Sequence, residues 1–321
     1  MVRFALRVSA WIAMLCLAAV VAAPAQTKSG MITVRIASIP NDDMTSVLYA
    51  WKSGMFAKAG LDVQIDKASS GAAVATALIG GTYDIGKSSI TPIFDAYEKG
   101  LPFTIIACAA VYDAKEPYGG MVVAPDSPIK TGKDMNGKIM GINSLNDIGK
   151  VAVDSWMLST GGDPKTVKFL ELPMAASPAA LAQKRIDAGQ MTNPPLAAAL
   201  LAHQVRMIPA YTAVAPRFLF SVWFTTKDYA AKNPQVIKTF ASVVSRAARY
   251  VNTHHQQTVD MVSQWTGIAP EIVATMPRVE NGEALIPAQL QPVIDASLRD
   301  GVIKKSFAAM DLLYAPVVTA R

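Results

Sequence analysis

The chain has 321 residues, 51% of them hydrophobic and 17% charged, with 30 Lys and Arg against 24 Asp and Glu for a formal net charge of +6. That length and apolar share describe a globular protein large enough for two domains and exclude a disordered chain. The basic excess is mild and not gathered into a stripe, which argues against nucleic acid as a partner.

Arg3 and Arg7 precede an apolar run from Val8 to Ala23, which ends in Ala23-Pro24-Ala25. This pattern is that of a secretory signal peptide, residues 1–25, cleaved after Ala25 to leave Gln26 first. The run falls short of the roughly 20 residues a spanning helix needs. Cys16 lies inside the run behind Leu15, where lipidation would want a small residue at the run's end, so it is discarded with the leader. Without Arg3 and Arg7 the charge becomes +4, and Cys108 is then the single cysteine, so no internal disulfide forms. Leu196–Leu201 is too short to cross a bilayer and is followed by His203 and Arg206. The mature protein is expected to be soluble and exported, in the periplasm.

Ile32–Ala37 alternates apolar and polar residues and predicts the first strand. A loop over Ser38–Thr45 leads into a helix through Val47, Leu48, Trp51 and Phe56, closed by Gly60. Leu61–Ile65 is the next strand, and Ser69-Ser70-Gly71 opens an Ala-rich helix through Val74 and Leu78. Either serine can cap that helix, and free N–H groups at such a start also suit an anion; the sequence leaves both open. Thr104–Val111 and Gly120–Ala124 read as strands, with a crossing between lobes near residue 120. Ile139–Ile142 is a strand whose end meets Asn143-Ser144-Leu145-Asn146-Asp147, and a helix from Ile148 to Ser159 stops at Gly161-Gly162. Val167–Leu170 is a further strand. Phe218–Thr225 is strongly β-prone and carries the chain back to the first lobe near residue 224. From Asp228 onward the pattern is mainly helical. The expected division is 26–120 for the first lobe, 121–223 for the second and 224–321 for the remainder of the first.

One device occurs twice. Ala77–Gly86 and Ala180–Gly189 both read Ala-Leu, a tight turn, Asp, a small or apolar residue and Gly, the end of a helix feeding a short strand. Polar residues follow each copy: Ser88, Ser89 and Thr91 after the first, and Thr192 and Asn193 before Pro194-Pro195 after the second. Two α/β units with hydroxyl and amide rims suggest two lobes facing one cleft, because ligands of open α/β sheets sit beyond the carboxyl ends of the strands.

The motifs Gly60-Leu61-Asp62-Val63, Ser70-Gly71, Tyr83-Asp84-Ile85-Gly86 and Gly100-Leu101-Pro102 recur in order with Asn136–Ile142, Asp163-Pro164 with Val167, and Ile186-Asp187-Ala188. This ordered set resembles the periplasmic substrate-binding proteins of the nitrate, sulfonate and taurine class of ABC importers, which includes thiamine-precursor-like (THI5-like) proteins. The resemblance covers nearly the whole mature chain. It implies an α/β fold of two lobes, the type II periplasmic-binding-protein architecture with a two-strand hinge, and a monomer delivering its ligand to a permease driven by a separate ATPase. It also implies cleft positions at Ile39, Pro40 and Asn41, at Ser69, Ser70 and Gly71, at Ser88 and Ser89, at Asn143 and Ser144, and at Thr192 and Asn193. Many relatives carry an acidic residue near the position of Asn193, so the ligand's identity does not carry over.

A polar ligand needs donors in place of water and an apolar or aromatic wall. Trp223, Tyr112 and Tyr118 are candidates for that wall, with core packing the alternative. Asp42 and Asp43 suit the start of a helix; their functional reading is recognition of an amino or ring N–H group. Lys87 and Arg217 either meet an anion or stay solvated. The histidines His203, His254 and His255 lack metal-ligand spacing, so no metal and no cofactor is expected. Cys108, among Ile105, Ile106, Ala109 and Val111, reads as a buried hydrophobe and not a nucleophile. Phosphate-loop, dinucleotide and Gly-x-Ser-x-Gly motifs are absent from the sequence. The sequence therefore points to binding without turnover, of a small organic anion or a heterocycle: a sulfonate, a carboxylate or a pyrimidine-like ring. The alternative is a ligand-sensing receptor or a pyrimidine- or desulfination-type enzyme on the same scaffold.

Overall fold

The computed structural model describes residues 30–319. The expected leader, with Arg3, Arg7, Cys16 and the cleavage site before Gln26, lies outside the described residues. Among the described residues no helix is long and apolar enough to cross a membrane.

The strands in chain order are β1 (Ile32–Ser38), β2 (Leu61–Lys67), β3 (Ile85–Ser89), β4 (Phe103–Asp113), β5 (Gly119–Val123), β6 (Ile139–Ile142), β7 (Lys168–Glu171), β8 (Ala188–Thr192), β9 (Arg206–Ile208), β10 (Arg217–Thr226) and β11 (Glu280–Asn281). They form two mixed sheets, β11-β4-β10-β3-β1-β2 and β7-β6-β8-β5-β9. In the first, β1 runs parallel to β2 and β3, and β10 lies antiparallel between β3 and β4. In the second, β6 runs parallel to β7 and β8, and β5 lies antiparallel between β8 and β9. The sheets thus share one plan: in each, the strand inserted antiparallel beside the parallel strands, β10 or β5, has just crossed from the other lobe, and the first sheet adds β11 antiparallel to β4 at its edge.

The crossings fall between Asp113 and Gly119 and between Ala213 and Arg217, bound side by side where the Ala114 N–H donates to Pro216 O at 2.8 Å. This is the two-strand hinge, and its position shifts the expected boundaries. Residues 217–223, expected in the second lobe, belong to β10 of the first sheet, and Gly119-Gly120 belong to the second. The long apolar run of β10 would suit either sheet; its pairing with β4 and β3 decides its lobe.

Alternation along the first-sheet strands feeds two cores. Ala37, Ile105 and Phe224 join Val74, Leu78, Ile93 and Phe94 on one face, together with Leu290, Val293 and Ile294 from the helix Pro287–Arg299. Ile36, Ile106 and Trp223 pack on the other face against the helix Pro234–Val251, whose buried residues Val236, Ile237, Phe240, Val243, Val244, Ala247 and Val251 keep helical spacing. The helix expected from Val47 through Phe56 is broken by Gly54, which sits at φ +74°, into Thr45–Lys52 and Met55–Lys58. In the second lobe the helix Ile148–Ser159 covers one face through Ile148, Val151, Ala152 and Trp156, with Leu181 and Leu196 on the other.

Candidate functional site

The carboxyl ends of β3 and β6 meet across the seam between the lobes. Ser89, last residue of β3, donates its hydroxyl to Asp147 Oδ2 at 2.9 Å. Asp147 is the N-cap of the helix Ile148–Ser159, and its Oδ1 accepts the Gly149 N–H at 2.9 Å and the side-chain amide of Gln190 on β8. The same Gln190 amide donates to Tyr211 Oη at 2.9 Å, and Gln190 Oε1 accepts the Asn143 N–H at 3.2 Å. Beside this, Thr91 donates to the Asn146 carbonyl at 2.7 Å, and the Asn146 side chain donates to Asp95 at 3.2 Å. Burial raises the Asp147 pKa, opposed by the Gly149 N–H, Gln190, Ser89 and the charge of Lys87.

Lys87 is wholly buried and forms an ion pair with Asp43, which also accepts the Ser221 hydroxyl at 2.8 Å. The buried Tyr118 hydroxyl has no hydrogen-bond partner among the described residues, and burial, with the charge of Asp43 adding to it, pushes its pKa well up. Tyr118 and Tyr211 flank Phe220 at ring-centroid distances of 5.5 and 5.1 Å, so an aromatic wall lines the hinge side of the polar seam. Tyr112 belongs to the same cluster, 5.6 Å from Tyr211.

The residues expected in the cleft divide. Ser89, Asn143 and Ser144 stand on the seam, with Asn143 Nδ2 unpartnered and Ser144 donating to Asn146 Oδ1 at 2.7 Å. Ser88 points to the other side of β3, against Gly71, where its buried hydroxyl lacks a partner and where a Cβ on Gly71 would collide with it. Ser70 caps its helix by accepting the Ala73 N–H at 3.2 Å, and Ser69 beside it is exposed. Asn41 is half-buried and makes no side-chain cap. Thr192 is buried against Met174 Sδ at 3.7 Å. Asn193 spends both ends of its amide on the fold, accepting the Ala197 N–H at 3.1 Å and donating to the Pro277 carbonyl at 2.8 Å. Trp223 has no exposed surface and stacks edge-on against Phe240 at 5.5 Å inside the first-lobe core, on the side of the sheet that the helix Pro234–Val251 covers.

The charged candidates are also placed. Asp42 accepts the Arg278 guanidinium on both oxygens, between 2.7 and 3.0 Å, and the Val279 N–H at 2.9 Å, tying the loop after β1 to the C-terminal segment. Arg217 is partly exposed and pairs with Asp113 and Glu280 at the outer edge. The sequence reading missed Asp147 and Gln190 as members of the seam. Their signals were an Asp immediately before an apolar-periodic helix and an amide directly after the Gly of the second repeat.

The model of the NMT1/THI5-like family matches residues 41–258. The chain belongs to that family. No curated protein matches the sequence. Among solved structures, the periplasmic aliphatic sulphonate binding protein SsuA from Escherichia coli is 18% identical, with 90% of this chain and 94% of that chain covered and a TM-score of 0.70. The periplasmic nitrate-binding protein NrtA from Synechocystis PCC 6803 is 15% identical over 75% of this chain and 69% of that one, at a TM-score of 0.65. The desulfurization enzyme DSZB is 14% identical over 88% and 96%, at 0.60. At such identities these likenesses establish the fold of this NMT1/THI5-like chain, that of the periplasmic binding proteins.

Proposed function

We propose that this NMT1/THI5-like protein is the solute-binding component of an ABC importer, exported to the periplasm, where it captures a small polar solute of the anion or heterocycle classes and presents it to a membrane permease. The observation that carries this reading is the hydrogen bond from Ser89 to Asp147, part of a buried polar seam with an aromatic wall at the carboxyl ends of strands from two hinged lobes. The fold likeness to SsuA and NrtA supports it. A ligand that contacts both lobes favours the closed arrangement over an open one, which is the physical basis of a clamp.

An enzyme reading on the same fold would look to Cys108 as nucleophile. That thiol is buried beneath Gly282, and burial pushes its pKa up to about 12, which keeps it protonated and inert.

Small-angle scattering with and without a stabilising ligand tests the clamp: the radius of gyration is expected to fall on binding, and an unchanged profile at saturation counts against it. Intact-mass analysis of the envelope fraction tests export, with a mature chain starting at Gln26 as the expected result.

A further inference from the structure

The bridges from Ser89 to Asp147 and from Thr91 to Asn146 are polar, and water takes over such bonds at little net cost when two surfaces part. A second meeting of the lobes is apolar. On the helix Pro195–Leu201 of the second lobe, Leu196 and Ala199 face that lobe's own core, while Ala197 is turned the other way and is buried among Val259, Val262, Val273 and Met276. Those four belong to the helices Val259–Thr266 and Pro270–Thr275 and the residue that follows them. The two helices are tied to each other, with Gln256 donating to the Ala274 carbonyl at 3.1 Å and Ser263 to the Ile268 carbonyl at 2.7 Å. The pair is rooted in the first lobe, by Met261 in that lobe's core and by the Arg278–Asp42 ion pair just beyond it. Beside the apolar contact, the Asn193 side chain donates to the Pro277 carbonyl at 2.8 Å and accepts the Ala197 N–H at 3.1 Å, so a hydrogen bond and an apolar patch join the lobes at one place.

Ala197 is the one second-lobe member of that cluster among the described residues. Parting the lobes would uncover the side of Val262, Val273 and Met276 that it covers, and water offers an apolar surface no substitute for the lost contact. We propose that residues 259–277 form a latch, which docks on the helix Pro195–Leu201 when the lobes close and leaves it when they open. The inference rests on the clamp reading and adds what sets the clamp's resting position. The contact at Ala197 fixes the fraction of ligand-free protein that stands closed, and the apparent affinity for any solute scales with that fraction.

A thiol placed in the latch reads its opening directly, because Cys108 is buried and its pKa of about 12 leaves it unreactive. In the purified mature protein carrying Met276→Cys, the introduced thiol is expected to react with dithionitrobenzoate at least about tenfold faster than Cys108, through an opening that falls short of global unfolding. Ala197→Glu in the same background sets a charge in the contact; it is expected to speed the reaction about tenfold more and to raise the radius of gyration of the ligand-free protein. Ala197→Ser, a milder change, should fall between, and circular dichroism checks that each variant is folded. An introduced thiol no faster than Cys108 would make the contact a permanent part of the fold. Equal rates with and without the Ala197 substitutions would mean that the contact does not set the equilibrium, and a faster reaction without a larger radius would mean that the helical pair frays by itself. Each of these overturns the latch and leaves the solute-binding reading standing; that reading is lost only where scattering shows no contraction with solute.

Discussion

Asp84 and Asp187 do the same work in the two lobes. Asp84 Oδ2 accepts the Arg35 N–H at 2.8 Å while its own N–H donates to the Arg35 carbonyl; Asp187 Oδ2 accepts the Ile139 N–H at 2.8 Å while its N–H donates to the Ile139 carbonyl. Each aspartate therefore clamps the residue just ahead of the point where its strand joins the central parallel strand, Ile85 against Ile36 and Ala188 against Met140. The glycine that follows serves packing. A Cβ on Gly86 would meet Leu78 at 2.8 Å, and one on Gly189 would meet Ser177 at 2.8 Å, so both helices lie closer to their strands than a side chain permits. The repeated motif is a register device on which the polar loops after β3 and β8 are mounted.

Replacing either aspartate with Ala should therefore act on stability before binding. Each loses a side-chain acceptor for a strand N–H, a cost of about 1–2 kcal/mol. Because the sites are in different lobes, the double variant should cost about the sum. Urea denaturation measures this, and a pair of neutral substitutions would remove the register role.

Lys87→Met should be severely destabilising, by about 3–5 kcal/mol, because it leaves Asp43 charged, buried and without its cation. The double variant Lys87→Met with Asp43→Leu should recover much of that loss. Chemical denaturation of both variants decides it: a double variant no more stable than the single one would mean the pair contributes more than mutual neutralisation.

Asn193→Ala should lower the melting temperature of the ligand-free protein, since the side chain accepts the Ala197 N–H in the first turn of the helix Pro195–Leu201 and donates to the Pro277 carbonyl on the first-lobe side. The two lost bonds amount to about 1–3 kcal/mol. An unchanged melting curve with a lost affinity would place the amide on the ligand instead.

Asp154 predicts a pH dependence. It is buried on the helix Ile148–Ser159, paired with Lys150 one turn earlier, and faces Asp300 and Arg299 at the end of the helix Pro287–Arg299; burial lifts its pKa to about 6, with Asp300 adding to the rise. The folded state therefore holds a proton that the unfolded state has released. Stability should fall as the pH rises from about 4 to about 6, by about 1–3 kcal/mol at most. Asp154→Asn should flatten that slope. Denaturation midpoints at several pH values provide the check, and an equal slope in both proteins would assign it to another group.

Most of the scaffold was legible in the sequence because its strands and helices carry clean periodicities. The helix Ile148–Ser159 could be bounded from Asp147 ahead of it and Gly161-Gly162 behind it. Strands β9 and β11 were not readable, having three and two residues, too few for alternation to register. The lobe of β10 was hidden for the opposite reason: a strand buried on both faces shows no side that betrays its neighbours. Lys87 resembled surface because its partner, Asp43, is remote in sequence, and Trp223 resembled a cleft wall because an aromatic on an apolar strand looks alike in either place. Asp147 was not singled out because its bond to Ser89 joins residues 58 apart in sequence, a pairing that no local pattern announces.

The chain's double crossing at the hinge governs the order in which the protein can be completed. Strand β4, a buried and almost wholly apolar run, ends at Asp113, while β10, which lies along it, starts only at Arg217. All of the second lobe is threaded between them. A chain emerging from its N-terminus can close the second sheet while the first still shows an unpaired hydrophobic edge, a template for pairing with other chains. The first lobe must wait for its own C-terminal half. Folding is expected to be slow and vulnerable in that interval, and a holding chaperone for the emerging chain would act chiefly on β4.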